Sequence, residues 1–197
     1  MDDAARPACR RSASTGPVRR FGAVAAAVLV VVLFAMGIAS CSSAEPPAVA
    51  AAIGVVPEVV ELPSLDVRAP VEPVDLGADR VLKPPDDPDV LGWWQAGRRP
   101  GSHQGSALFT GHTISTGGGV LERLEELRVG DPVIVRSDGT AVELEVVDVE
   151  VMSRAELAER AETLFDQKGE ARVLLITCED WDGTDWRSNV VVQAVTP

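Results

Sequence analysis

The sequence predicts a mostly β domain over residues 64–197, folded as a closed barrel of about eight short strands with two small helices. Three observations lead there. Short runs rich in valine, leucine and isoleucine recur between turn signals from about Leu65 onward. Helical spacing of apolar residues is confined to two brief stretches, near residues 120–127 and 154–165. Asp138-Gly139 lies between two strand-like segments, where a tight hairpin needs residues that tolerate positive φ.

The elements follow in chain order. Leu65 to Val74 is strand-like, and its prolines suit an edge. Ser106 to Thr110 is a short strand that leads into Gly111-His112. Leu121, Leu124 and Leu127 stand at helical spacing before Gly130-Asp131 stops the pattern. Pro132 to Arg136 and Ala141 to Val151 flank the Ser137–Thr140 turn. Ser153 and Glu156 have the spacing of a capping box, opening a helix with Leu157, Ala161, Leu164 and Phe165 on one face and Gly169 to end it. Arg172 to Thr177 and Asn189 to Val195 supply the last strands.

Ahead of this domain the chain changes character. Residues 1–20 carry five arginines against two aspartates, a net +3 that leaves −15 for the rest of a chain of net charge −12. Residues 21–40 hold an apolar run, Phe21 to Ala39, whose length as a helix is about 28 Å, near the thickness of a bilayer core. Basic sequence before it and acidic sequence after it place residues 1–20 in the cytoplasm and the domain outside. Ile38-Ala39-Ser40-Cys41 also resembles a bacterial lipobox, so two readings stand: an uncleaved transmembrane anchor, or a lipoprotein lipidated at Cys41. Residues 41–63, rich in alanine and proline, read as a tether.

Charge and composition exclude several functions. An acidic body without tyrosine offers neither a phosphate-binding face nor a base-stacking surface, so no nucleic-acid partner is expected. Two histidines and scattered cysteines give no zinc spacing. Gly117-Gly118-Gly119 reads as a loop rather than a phosphate cradle, so no metal or cofactor is expected.

Leu174-Leu175-Ile176-Thr177-Cys178 is an apolar strand ending on a cysteine. With Cys9 on the cytoplasmic side and Cys41 at the membrane edge, Cys178 has no partner for a structural disulfide. A lone cysteine with a distant histidine, here His112, is the pattern of a thiol nucleophile whose base is near in space and far in sequence.

In this setting the residues resemble a known family. Leu91-Gly92-Trp93-Trp94, Pro100-Gly101 and Gly105 to His112 are similar to the histidine region of sortases. Leu124 to Asp131 followed by Val133-Ile134-Val135 resembles their leucine–glycine–aspartate–strand signature. Leu175-Ile176-Thr177-Cys178 resembles their cysteine motif, and Arg187 with Asn189 to Val192 the strand bearing their arginine. The resemblance spans roughly Leu62 to Thr196 and is nearest the actinobacterial class E/F branch. The chain departs from that branch at Glu179-Asp180-Trp181, where glycines are frequent.

The resemblance implies a membrane-tethered cysteine transpeptidase. Such an enzyme cuts an LPXTG-like sorting signal between threonine and glycine through a Cys178 thioester and passes the acyl group to an envelope amine. It assigns Cys178 as nucleophile, His112 as general acid and base, and Arg187 as the oxyanion donor, with Thr110, Thr177, Trp181 and Trp186 as candidate substrate contacts. Each has a structural alternative: Cys178 as a small buried hydrophobe, His112 as a satisfied loop histidine, Arg187 as the partner of Asp182 or Asp185 in a surface bridge, and the tryptophans as packing; His103 matches no family position and reads as solvent-exposed. Two other functions compete, a thiol hydrolase with water as acceptor and an envelope binding module without chemistry. Expected partners are sorting-signal peptides, an amine acceptor and the membrane.

Overall fold

The computed structural model describes residues 54–78 and 81–197. Eight strands close a barrel: β1 (Val59–Leu62), β2 (Val67–Val74), β3 (Leu91–Trp94), β4 (Ser106–Thr110), β5 (Pro132–Ser137), β6 (Thr140–Ser153), β7 (Arg172–Trp181) and β8 (Trp186–Val195). Around the barrel they run β1-β2-β3-β4-β7-β8-β6-β5, and β5 pairs back onto β1. The β2–β3 and β4–β7 pairs are parallel and the others antiparallel. The expected barrel is borne out. Among the described residues one α-helix, α1 (Arg154–Leu164), joins β6 to β7. The second expected helix is a single 3-10 turn, Leu124–Glu126, and another such turn covers Pro63–Leu65. Leu121, Leu124 and Leu127 are nevertheless all buried, so their spacing reports a buried face and not an α-helix.

Boundaries differ in instructive places. β1 lies inside the stretch expected to be tether, because Val60 and Leu62 alternate into the core. The prolines of β2 have a different explanation from a free edge, which a closed barrel lacks. Residues 67–70 pair with β1 and residues 71–74 with β3, so each half of β2 has one paired neighbour, and Val71 at the switch also donates to the Glu58 carbonyl at 2.9 Å. Asp138 (φ 38) and Gly139 (φ 77) both take positive φ, as the two-residue hairpin requires. β6 carries an irregularity between Val146 and Asp148, where it passes from pairing with β5 to pairing with β8.

Alternation along the strands builds two apolar layers. Ala107, Phe109, Val173, Leu175, Val190 and Val192 point into the barrel. Leu108, Leu174 and Val191 point outward, where Met152 and Leu164 pack on them with Leu157, Phe165 and Ile176 at the margin. Helix α1 therefore roofs the outer face of β4, β7 and β8 through Leu157 and Leu164. The predicted box caps its start, with Ser153 Oγ accepting from the Glu156 amide at 3.2 Å and Glu156 accepting from the Ser153 amide at 2.8 Å. Its far end is held where the Ser106 hydroxyl donates to the Leu164 carbonyl at 2.7 Å. The helix thus runs down the outer face, with its first residues near the carboxyl ends of β4 and β7.

Among the described residues no helix is long and apolar enough to cross a membrane. The basic segment, the apolar run over residues 21–40 and Cys41 lie outside the described residues.

Candidate active site

The parallel pairing of β4 and β7 determines which residues meet. Leu108 stands opposite Leu174 and Thr110 opposite Ile176. His112 comes two residues after Thr110, just past the end of β4, and Cys178 comes two residues after Ile176 within β7. Main-chain bonding carries the alignment past the end of β4, since the Gly111 amide donates to the Ile176 carbonyl at 3.2 Å. Adjacent strands lie about 4.8 Å apart, so this register brings the segment just past the end of β4, which carries His112, beside the stretch of β7 that carries Cys178. Cys178 is half-buried, and β7 continues through it to Trp181 rather than ending there. Cys178 pairs with Asn189 of β8, whose side-chain amide donates to the Thr177 carbonyl at 3.2 Å.

His112 is held from several sides. A Cβ on Gly111 would meet Leu91 and Leu121 at 2.7–2.8 Å, and one on Gly119 would stand 2.1 Å from the His112 carbonyl oxygen, so only glycine fits at either position. The His112 carbonyl accepts from the Leu121 amide at 3.1 Å. Glu122 ties the following loop by accepting from the amides of Ile114 (3.2 Å) and Gly119 (3.4 Å). The imidazole Nε2 lies 2.6 Å from the carbonyl oxygen of Pro85. That oxygen can only accept, so Nε2 carries the proton, and in the neutral ring Nδ1 holds the free lone pair.

Thr177, a candidate substrate contact, turns out to be structural. Its hydroxyl is buried and donates to the Gly111 carbonyl at 3.0 Å. Its one proton is then committed, so at 2.7 Å the Thr113 hydroxyl is the donor to Thr177 Oγ1. Thr110 is also buried, on the outward-facing row of β4 that includes Leu108. Trp181 and Trp186 pair across the β7–β8 hairpin with ring centroids 5.3 Å apart, and Trp181 is exposed. His103 is exposed, as expected.

Arg187 follows the facing of Cys178 along β8, yet its guanidinium is engaged elsewhere. It pairs with Asp182, whose carboxylate also accepts from the amides of Thr184 (2.9 Å) and Asp185 (2.8 Å). These amide bonds, more than the arginine, hold the Asp182 carboxyl below its ordinary range. The surface-bridge alternative for Arg187 is thus the geometry observed. Arg172 and Arg136 serve other ends. Arg172 bonds to Ser106, Gln193 and Thr163, and Arg136 bonds to Glu61.

Burial pushes the Cys178 thiol above its ordinary value; Arg154 pulls it down and Asp185 pushes it up again. Beside it, Glu179 is raised chiefly by burial, and its Oε2 is buried without a hydrogen-bond partner among the described residues. Asp180 takes a left-handed φ of 59°. Aspartate tolerates that conformation, and glycine adopts it freely. Among the described residues no cluster of histidine, cysteine or carboxylates could hold a metal. Sequence reasoning passed over Pro85, Thr113 and Arg154. Arg154 alone left a signal, a basic residue opening a helix directly after a capping box.

Comparisons with known proteins agree with this geometry. A family model described as the sortase domain matches residues 60–196. Among solved structures, sortase C-1 from Actinomyces oris is 22% identical over 69% of this chain and 70% of its own, with a TM-score of 0.52. A sortase C1 from Streptococcus suis is 19% identical over 70% of each chain, with a TM-score of 0.54. A lid mutant of sortase A from Corynebacterium diphtheriae is 19% identical over 69% and 67%, with a TM-score of 0.53. No curated protein matches the sequence.

Proposed function

This chain belongs to the sortase family and is a cysteine transpeptidase acting on peptide bonds; from that premise we propose that it cleaves a sorting signal of the LPXTG type through a thioester on Cys178. The observation that carries this reading is the parallel register of β4 and β7, with Gly111 bonded to both Ile176 and Thr177, which brings the segments of His112 and Cys178 together.

The steps follow from the chemistry of these side chains. Because burial raises the thiol above its ordinary value, attack on the threonine carbonyl is coupled to loss of the sulfur proton. Nδ1 of His112 receives that proton, since Nε2–H is committed to Pro85. The carbonyl oxygen becomes an oxyanion, and Arg187 is the donor for it once its guanidinium leaves Asp182. Collapse breaks the Thr–Gly bond, the glycine nitrogen takes the proton from His112, and the acyl group remains on sulfur. An incoming amine then attacks the thioester and gives its proton to His112, and Cys178 is released as the acyl group leaves on the amine.

In this proposal the apolar run over residues 21–40 anchors the enzyme, with the barrel outside the membrane and residues 41–53 as its tether, since Val55 and Glu58 already bond to the barrel. The substrates are then secreted proteins bearing sorting signals, and the acceptor is an amine of the envelope. The chain's motifs support the class E/F branch, apart from Glu179-Asp180-Trp181.

Product analysis tests the proposal. The purified protein is incubated with a Leu-Pro-x-Thr-Gly peptide, with and without a primary amine. A transpeptidase yields the amide of the added amine in preference to free acid. Free acid alone at every amine concentration identifies a hydrolase, and no cleavage of a panel of such peptides contradicts the reading.

A further inference from the structure

Arg154 and Asp185 join two elements across the face that carries Cys178. Cys178 pairs with Asn189, and Asn189 pairs with Met152, forming one row across β7, β8 and β6. The next row is Glu179, Ser188 and Ser153. Arg154 comes immediately after, as the first residue of α1, and its Nη1 donates to Asp185 Oδ2 at 3.0 Å in the turn between β7 and β8. The ion pair therefore closes the rim of the outer face on which the sulfur lies.

Stability does not explain this pair. The side chains are 63% and 54% exposed, and bridges of this kind contribute little. A cation at the first position of a helix is also unfavourable, because it faces the positive end of the helix dipole. A residue that breaks a local rule without a stabilising return points to a site requirement.

We propose that Arg154 and Asp185 poise the Cys178 sulfur for attack, Arg154 favouring the thiolate and Asp185 restraining it. Both act through Cys178 and are positioning residues. The charge balance agrees, since these two groups, after burial, are what act on the thiol. Other charged or titratable groups near this rim are His112 beyond β4, Glu179 and Asp180 on β7, Glu122 and Glu125, which act on Glu179, and Arg187, which is neutralised by Asp182. The inference rests on Cys178 as nucleophile for its consequence in turnover. Its test needs no substrate, so it fails separately from the proposed function.

The full chain, in detergent, is labelled with iodoacetamide across pH, and the alkylation rate at Cys178 is followed by peptide mass spectrometry. Arg154→Gln should move the midpoint to higher pH and Asp185→Asn to lower pH. At neutral pH these changes correspond to about two- to fivefold slower and faster labelling, the range expected of solvent-exposed charges. Arg154→Lys keeps the charge and should keep the wild-type midpoint. Arg160→Gln removes a charge from the same helix, where Arg160 pairs with Glu150, and should leave the midpoint in place. Added salt should shrink the Arg154→Gln and Asp185→Asn shifts together. Unmoved midpoints in both variants, or shifts of the same sign, would overturn the proposal.

Discussion

Thr177 donates its buried hydroxyl proton to the carbonyl of Gly111 across 3.0 Å, pinning the chain before His112 to the chain before Cys178. The two catalytic candidates are therefore joined through their immediate predecessors. Thr113 completes the arrangement by donating to the same hydroxyl oxygen. In Thr177→Val the Gly111 carbonyl loses its side-chain donor and Thr113 loses its acceptor in a buried place, at a cost of about 1–3 kcal/mol. Urea melts should show that loss, and kcat should fall more than KM rises. Thr177→Ser should restore most of both. A valine variant with native stability and turnover would show that the hydroxyl holds nothing.

The Pro85 carbonyl fixes the histidine tautomer. Nitrogen-detected NMR on labelled protein should place the proton of neutral His112 on Nε2 and give Nδ1 the chemical shift of an unprotonated ring nitrogen. A spectrum with the proton on Nδ1 would remove the base from the proton path drawn from Cys178.

Arg187 separates catalysis from surface pairing. As an oxyanion donor, both Arg187→Ala and Arg187→Lys should lower kcat by about two orders of magnitude or more, since lysine lacks the planar fork. Thermal melts should stay near wild type, because an exposed bridge to Asp182 is worth at most about 1 kcal/mol. Asp182→Asn should keep the turn, whose amides still find an oxygen, and should not reduce kcat. Unchanged turnover in Arg187→Ala would leave the arginine with its surface bridge alone.

Cys178 couples stability to alkaline pH. Burial raises its folded value above the unfolded one, so the folded state holds the proton more tightly. Its contribution is fully present below the unfolded thiol value and is lost as pH rises through the folded one. Denaturant melts from pH 7 to 10.5 should show a decline in wild type that is shallower in Cys178→Ala. Parallel declines would mean that the thiol is not perturbed by folding.

Much of this was legible in the residues, and the parts that were not have physical causes. Ser106 to Thr110, the Asp138-Gly139 hairpin and the Ser153–Glu156 box are local signals, and each formed where its chemistry required. Leu121, Leu124 and Leu127 reported burial correctly but not an α-helix, since periodicity alone does not decide between one turn and several. β7 runs past Cys178 to Trp181 with Asp180 at a left-handed φ within it, which composition does not reveal. Gly111-His112 pointed to the histidine, whereas its restraint by the Pro85 carbonyl is a main-chain contact across 27 residues that no side-chain pattern encodes. Arg187 matched its motif, and its engagement by Asp182 depended on how the β7–β8 turn closed.

The central claim is a thioester on Cys178, and trapping it is the most direct measurement. The protein is mixed with a Leu-Pro-x-Thr-Gly peptide in the absence of amine, quenched in acid within the first turnover and digested for mass spectrometry. The account predicts that the peptide containing Cys178 gains the mass of the acyl fragment ending in threonine. The glycine fragment should appear in equal amount, and hydroxylamine should remove the adduct. Cys178→Ala, which fills a similar small volume, should fold, form no adduct and cleave nothing. Cleavage at the wild-type rate by Cys178→Ala, or an adduct on any other residue, would contradict the account.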